Sequence, residues 1–202
     1  QAIVGGDAEA RQRFAPLVPS LVAMDELAKL MRRRRYERGS LDFDLPEPKL
    51  VLDAQGEMTG IVRHERLDSM RLVEEFMLAA NEAVARWFGD RDLPTIYRVH
   101  GLPDEDKLQA FLDLARAQGF DVPEAGAGPL ALADLLERLA GHPQQRALNQ
   151  LLLRAMMQAV YSPENIGHFG LAAEHYLHFT SPIRRYPDLI VHRLLRDELG
   201  RA

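Results

Sequence analysis

The stretch from residue 68 to residue 88 constrains the fold most. Met70, Val73, Phe76, Met77, Ala80, Val84 and Trp87 recur there at three- and four-residue intervals. That is the period of an amphipathic helix, whose apolar stripe must be covered by other parts of the chain. The flanking sequence offers partners of the same kind. Leu21, Met24, Leu27, Ala28 and Met31 predict a helix over 20–38, with Gly39 where a C-terminal cap belongs. Asp104 suits the N-cap of a helix reaching about Gln118 and ending at Gly119. A Gly/Pro/Ala-rich linker over 120–130 precedes helices near 131–140 and 144–160.

Strand patterns are fewer. Residues 50–52 and 58–62 flank Asp53-Ala54-Gln55-Gly56 and predict a β-hairpin, while Pro46 and Pro48 keep the preceding segment off a central strand. Residues 95–99 read as a short strand and 176–179 as another; Tyr161-Ser162-Pro163-Glu164-Asn165 is turn chemistry. The expected fold class is therefore α+β and predominantly helical, with a small β-hairpin or sheet packed on helices. At 202 residues, one domain with one sizeable core is the default.

Composition excludes several classes. Cysteine is absent, so no disulfide, thiol nucleophile, cysteine-ligated zinc or iron–sulfur cluster is available, which is compatible with a reducing cytoplasm. No run approaches the ~18 apolar residues of a membrane span. The opening residues lack a signal peptide's basic flank and an initiator methionine, so the chain is expected to be a piece of something longer. A net charge of −5 argues against a dedicated basic nucleic-acid binder. The charge is unevenly spread, however. Residues 1–38 hold eight Lys/Arg against five Asp/Glu, including the run Arg32-Arg33-Arg34-Arg35. That run reads either as a solvated helix end or as one wall of a basic groove.

The usual catalytic signatures are missing. Gly126-Ala127-Gly128-Pro129-Leu130-Ala131 fits G-x-G-x-x-A only formally, because no strand precedes it. Glu174, His175 and His178 could approach one metal if their segment were helical, although ordinary surface or core histidines are commoner. Asp42 and Asp44 would share one side of an extended segment and could hold a hard cation, but no third acid is near.

Thr180-Ser181-Pro182-Ile183-Arg184-Arg185 is more informative. Thr180 and Ser181 are N-cap types and Pro182 suits the first helical position. Free amides there, with Arg184 and Arg185 in the first turn, would suit a phosphate. Cations in a first turn oppose the helix dipole, so two arginines there suggest that an anion is expected. Pro187 would then interrupt the helix before an amphipathic run over 189–199. The alternative is an ordinary loop–helix junction with solvated arginines.

His168-Phe169-Gly170-Leu171, Tyr176, His178-Phe179-Thr180-Ser181-Pro182-Ile183-Arg184-Arg185-Tyr186-Pro187-Asp188 and His192-Arg193 resemble the C-terminal signature of the RNB catalytic domain of the ribonuclease II and ribonuclease R exoribonucleases. Leu72-Val73-Glu74-Glu75-Phe76-Met77-Leu78-Ala79-Ala80-Asn81 resembles that family's central helix, Tyr97-Arg98-Val99-His100 a following strand, and Tyr161-Ser162-Pro163-Glu164-Asn165 the ribonuclease R branch. The resemblance implies processive 3′-to-5′ hydrolysis of single-stranded RNA to nucleoside monophosphates, in the cytoplasm and with magnesium. It implies that Arg184 contacts the scissile phosphate, with Ser181 and Arg185 beside it, that Glu74 positions terminal nucleotides, and that Phe43 stacks on the RNA end. Read without it, Glu74 is the exposed face of a helix and Phe43 plugs a core under the hairpin.

One departure from the family is large. The magnesium-binding aspartate motif, resembling D-x-x-x-A-x-D-x-D-D, does not occur in these residues. The chain therefore looks like the C-terminal half of an RNB domain, its partners being RNA, the remaining half-domain and the flanking oligonucleotide-binding barrels. Alone it is expected to be inactive, to hold no catalytic metal and to expose apolar surface that invites self-association. A non-catalytic RNA-binding or scaffolding relative is the alternative.

Overall fold

The computed structural model describes residues 1–43, 48–63, 67–124 and 126–200. Asp44 falls outside them, so the proposed pairing of Asp42 with Asp44 does too. In chain order the helices are α1 (Ala8–Arg13), α2 (Val18–Glu37), α3 (Asp68–Gly89), α4 (Glu105–Ala117), α5 (Pro129–Arg138), α6 (Gln145–Ala155) and α7 (Tyr186–Leu199). The strands are β1 (Pro48–Leu52), β2 (Met58–Arg63), β3 (Tyr97–Val99) and β4 (Val160–Ser162). β1 and β2 form the expected antiparallel hairpin, with Leu50 opposite Ile61; β3 and β4 form a second antiparallel pair, with Arg98 opposite Tyr161. The α+β, mainly helical expectation holds.

Two apolar clusters form rather than one core. In the first, α4, α5 and α6 interdigitate through Phe111, Leu112, Leu132, Leu135, Leu148 and Leu152, all nearly or fully buried. In the second, Ala85 and Phe88 of α3 pack with Tyr97 and Val99 of β3, Leu177, and Val191 of α7. Gly39 joins the first cluster to α2. Its φ of 99° is open to glycine, and a Cβ there would stand 2.5 Å from backbone atoms of Leu130 at the start of α5. The next residues continue the junction, where the Leu41 amide donates to the Gly170 carbonyl at 2.9 Å.

Several local expectations are corrected. α6 stops at Ala155, because Met156 turns to an extended conformation and the chain supplies β4 as partner to β3. Residues 176–179 form no strand and contribute only an isolated bridge between Leu177 and Tyr97. α7 begins at Tyr186 with Pro187 in its first turn, so that proline opens the helix instead of breaking it. The arginine run is not uniformly solvated. Arg35 is only 8% exposed and forks onto Glu75 of α3, with Nη2–Oε1 at 2.7 Å and Nε–Oε2 at 3.3 Å, while Nη1 donates to Ser40. Among the described residues no helix is long and apolar enough to cross a membrane.

Candidate functional site

α3 turns two faces to different tasks. Its buried residues are Leu72, Glu75, Asn81, Ala85 and Phe88. Met70 and Val73, members of the periodic stripe, are instead exposed. They line a groove of about 670 Å³ with Glu74 and Met77 of the same helix and with Tyr176 and Arg185 from the C-terminal segment. The groove has an apolar lining with a carboxylate and a guanidinium at its edges. Apolar walls suit the faces of bases and sugars, while Glu74 can accept hydrogen bonds from hydroxyls.

Polar anchors hold the C-terminal segment against this groove. Asn81, 2% exposed, donates from Nδ2 to the Tyr176 hydroxyl at 3.1 Å and accepts from the Phe179 amide at 3.0 Å. His192 of α7 stacks on Phe179, ring centroids 4.0 Å apart, with its Nε2 2.8 Å from the Phe179 carbonyl. The backbone then turns tightly, the Ser181 carbonyl accepting from the amides of Arg184 and Arg185 at 3.3 and 3.1 Å. Asp188, fully buried, accepts from the Ser181 amide at 2.8 Å and from Arg185 Nη2 and Nε at 2.7 and 2.9 Å. Burial alone would push the Asp188 carboxyl up, but these hydrogen bonds outweigh it and hold the group below its usual range.

This geometry replaces the helix N-terminus read from the sequence. Pro182, Arg184 and Arg185 belong to a turn before α7, not to its first turn. The Arg184 and Arg185 amides are used by the Ser181 carbonyl, and α7 carries its own acid, Asp188, in its first turn. What remains open is the Arg184 side chain, which is exposed and makes no hydrogen bond or ion pair among the described residues. Arg185 keeps Nη1 unused by Asp188 and lines the groove.

Glu74 and Arg185 are thus brought to one groove, with Ser181 and Arg184 on the adjoining turn. Phe43 is partly buried against the α4–α6 cluster and does not line the groove. Asn81 and Asp188 each stand in a family-like stretch, but the sequence reading gives neither a role. Their signal is weak: each is one more residue of a matching stretch, and nothing in its type or spacing marks it as an anchor.

Behind the turn lies an aromatic cluster. His100, His168, Tyr176 and His178 contact in succession, with centroids 5.0, 5.2 and 5.8 Å apart. The Gly170 amide donates to His100 Nδ1 at 2.9 Å and His100 Nε2 lies 2.7 Å from the Met157 carbonyl, so this ring is neutral with its proton on Nε2. Burial, with the nearby His100 second, pushes His168 down to about 4. Burial, with Arg185 second, does the same to His178. At neutral pH these histidines are uncharged rings that still hydrogen-bond, His168 Nδ1 with the Leu171 amide and His178 Nδ1 with the Tyr161 hydroxyl.

The stretch containing Glu174, His175 and His178 is not helical and does not gather around a metal. His175 meets Asn165, and His178 meets the Tyr161 hydroxyl. Among the described residues no group of three His, Cys, Asp or Glu could hold a metal ion.

Comparison with known proteins gives a consistent picture. Residues 1–201 match the family model described as the RNB domain. Ribonuclease R of Aquifex aeolicus is 45% identical over 199 residues, covering 98% of this chain and 28% of that protein. Ribonuclease R of Escherichia coli is 39% identical over 200 residues, covering 98% and 25%. The chain therefore spans about a quarter of the length of the relatives it matches. Among solved structures, Mycoplasma genitalium RNase R in complex with ribose-methylated single-stranded RNA superposes with a TM-score of 0.84 at 32% identity, covering 89% of this chain and 28% of that one. Yeast Ssd1, described as a pseudonuclease, gives a TM-score of 0.64 at 19% identity over 87% of this chain and 22% of that one, a likeness of fold alone.

Proposed function

The chain belongs to the RNB domain family, and on that premise we propose that it is the part of a 3′-to-5′ exoribonuclease that grips the reacting phosphate and forms one wall of the RNA channel. One observation carries this reading: an exposed, uncommitted Arg184 stands on a turn fixed from both sides, next to a groove edged by Glu74 and Arg185.

In the reaction, water adds to phosphorus and the bond to the 3′ oxygen of the preceding nucleotide breaks, releasing a nucleoside 5′-monophosphate. Negative charge accumulates on the non-bridging oxygens. Arg184 is the group that meets this charge, because a guanidinium can donate two parallel hydrogen bonds to a phosphate. Glu74 accepts hydrogen bonds from ribose hydroxyls of the terminal nucleotides held against Met70, Val73 and Met77. Arg185 adds a phosphate contact through Nη1, and the Ser181 hydroxyl lies at the base of the same turn. Phe43 stacks on the RNA end only if it leaves its partly buried place on the α4–α6 cluster, which makes it the least supported contact.

The family implies a divalent metal, and the described residues do not fit one, since no cluster of three ligating side chains exists among them. The magnesium ligands would then belong to the remaining half-domain. That half-domain and its oligonucleotide-binding barrels are the proposed partners, in the cytoplasm.

The test is degradation of single-stranded RNA labelled at either end, with magnesium, by the full-length natural polypeptide. Stepwise loss from the 3′ end, slowed about 100-fold by Arg184→Ala, is expected from the loss of one transition-state donor. The second reading, a non-catalytic RNA-binding relative, draws on the absence of a metal-holding cluster among the described residues. It would be favoured by RNA binding with no cleavage.

A further inference from the structure

Asp188 is a buried charge that the proposed chemistry does not use. Asp188 is 0% exposed, yet its carboxylate is charged and saturated by three donors from two residues upstream of it. A carboxylate in such a place is retained only if its partners are fixed with it, because losing them would leave a buried charge uncompensated. Here the partners are the first and last residues of the turn that carries Arg184.

Resting on the reading of Arg184 as the phosphate-gripping group, we propose that Asp188 is a positioning residue that sets the direction of Arg184 without touching RNA. The turn is pinned at three points. Before it, Phe179 is held by Asn81 and His192. At its start, the Ser181 amide is held by Asp188 Oδ1. At its end, the Arg185 fork is held by both Asp188 oxygens. α7, the platform for Asp188, is fixed in turn by Val191 in the second apolar cluster. Between the pins the chain has no choice but to project outward: Ile183 is 99% exposed and Arg184 is exposed beside it.

The arrangement explains why two adjacent arginines are not equivalent. Arg185 spends Nε and Nη2 inward on Asp188, whereas Arg184 spends nothing on the protein. A long side chain reaches a transition state with less loss of freedom when its backbone is already fixed, so rigidity of the turn appears in the rate more than in binding.

A double-mutant cycle in the full-length natural polypeptide tests this on single-stranded RNA. Asp188→Asn keeps the shape and an acceptor for the Ser181 amide but removes the charge facing Arg185. We expect kcat to fall about tenfold, with KM for RNA changed less than about threefold. In the Arg184→Ala background, Asp188→Asn should slow hydrolysis no further. Losses that multiply would overturn the inference, since a residue that only stabilises the fold acts independently of Arg184. Asp188→Glu, which keeps the charge but shifts the carboxylate by one methylene, provides the same cycle where Asp188→Asn does not fold.

Should Arg184→Ala leave hydrolysis intact, the functional reading fails in its own arm, and amide hydrogen exchange decides the clamp. Asp188→Asn should then speed exchange about tenfold at Ser181, Arg184 and Arg185 and leave the amides of 191–195 unchanged. Uniform loosening of α7 would sink the proposal.

Discussion

Glu74 and Glu75 are adjacent, chemically identical and assigned opposite work. Glu74 lines the groove, while Glu75 is buried against Arg35. Removing Glu75 leaves a guanidinium buried without its counter-charge, which costs about 3–5 kcal/mol. Glu75→Ala should therefore lower Tm by about 10 °C, at the roughly 2–4 °C per kcal/mol expected of a chain this size. Glu74→Ala should lower Tm by less than Glu75→Ala does and weaken RNA binding instead. Differential scanning fluorimetry beside an RNA titration separates the two, and a larger melting loss for Glu74→Ala would reverse the assignment. The sequence could not choose between these residues by type. An apolar-stripe reading follows Met70 and Val73, which line the groove, and gives no sign that Glu75 and not Glu74 is buried. Similarly, Arg184 and Arg185 were legible as a phosphate-seeking pair, while their division of labour needed the carboxylate of Asp188 in place.

Elements were read well where a local period or cap decides them. α2, α3, α4 and the β1–β2 hairpin stand close to their expected bounds, with Asp104 capping α4 by accepting from the Lys107 amide at 3.1 Å. The errors cluster over 156–188, where the backbone follows tertiary partners: β4 exists because β3 offers an edge, and the turn before α7 exists because Asp188 captures Ser181. Gly39 shows how a local signal can understate its reason. It was read as a helix cap, but it also admits α5 to close contact with the end of α2. Gly39→Ala combines a left-handed φ with a 2.5 Å clash against Leu130 backbone and should cost roughly 3 kcal/mol or more. Gly56→Ala, whose φ is also positive at 85° but whose Cβ would meet nothing within 4 Å, should cost only about 1 kcal/mol. Equal losses in urea unfolding would show that conformation, not the α2–α5 approach, governs the position.

At the scale of the whole molecule, the two apolar clusters leave much apolar surface uncovered. Leu50, Leu52, Met58 and Ile61 of the hairpin and Leu27 and Leu30 of α2 are exposed. A two-stranded hairpin is marginal by itself in water, and this exposure accords with the expected tendency of the chain to associate. The aromatic cluster behind the turn before α7 carries a different vulnerability. His168 and His178, both pushed down to about 4 by burial, are neutral in the folded chain and face Arg98 and Arg185. Unfolded, each titrates near 6.5. Above that value neither state binds the protons and the histidines exact no penalty. Between about 6.5 and 4 only the unfolded chain binds them, so stability falls as the solution becomes more acidic, by at most about 1.4 kcal/mol per pH unit for each histidine. Below about 4 both states are protonated and this contribution to the slope ends. Melting curves from pH 7.5 to 4.5 should therefore show Tm declining below pH 6.5. His168→Asn, whose side-chain oxygen can still accept from the Leu171 amide as Nδ1 does at 3.3 Å, should make the decline shallower by about one proton. An unchanged slope would mean that His168 is protonated without cost in the folded chain, and that the cluster does not depend on a neutral ring there.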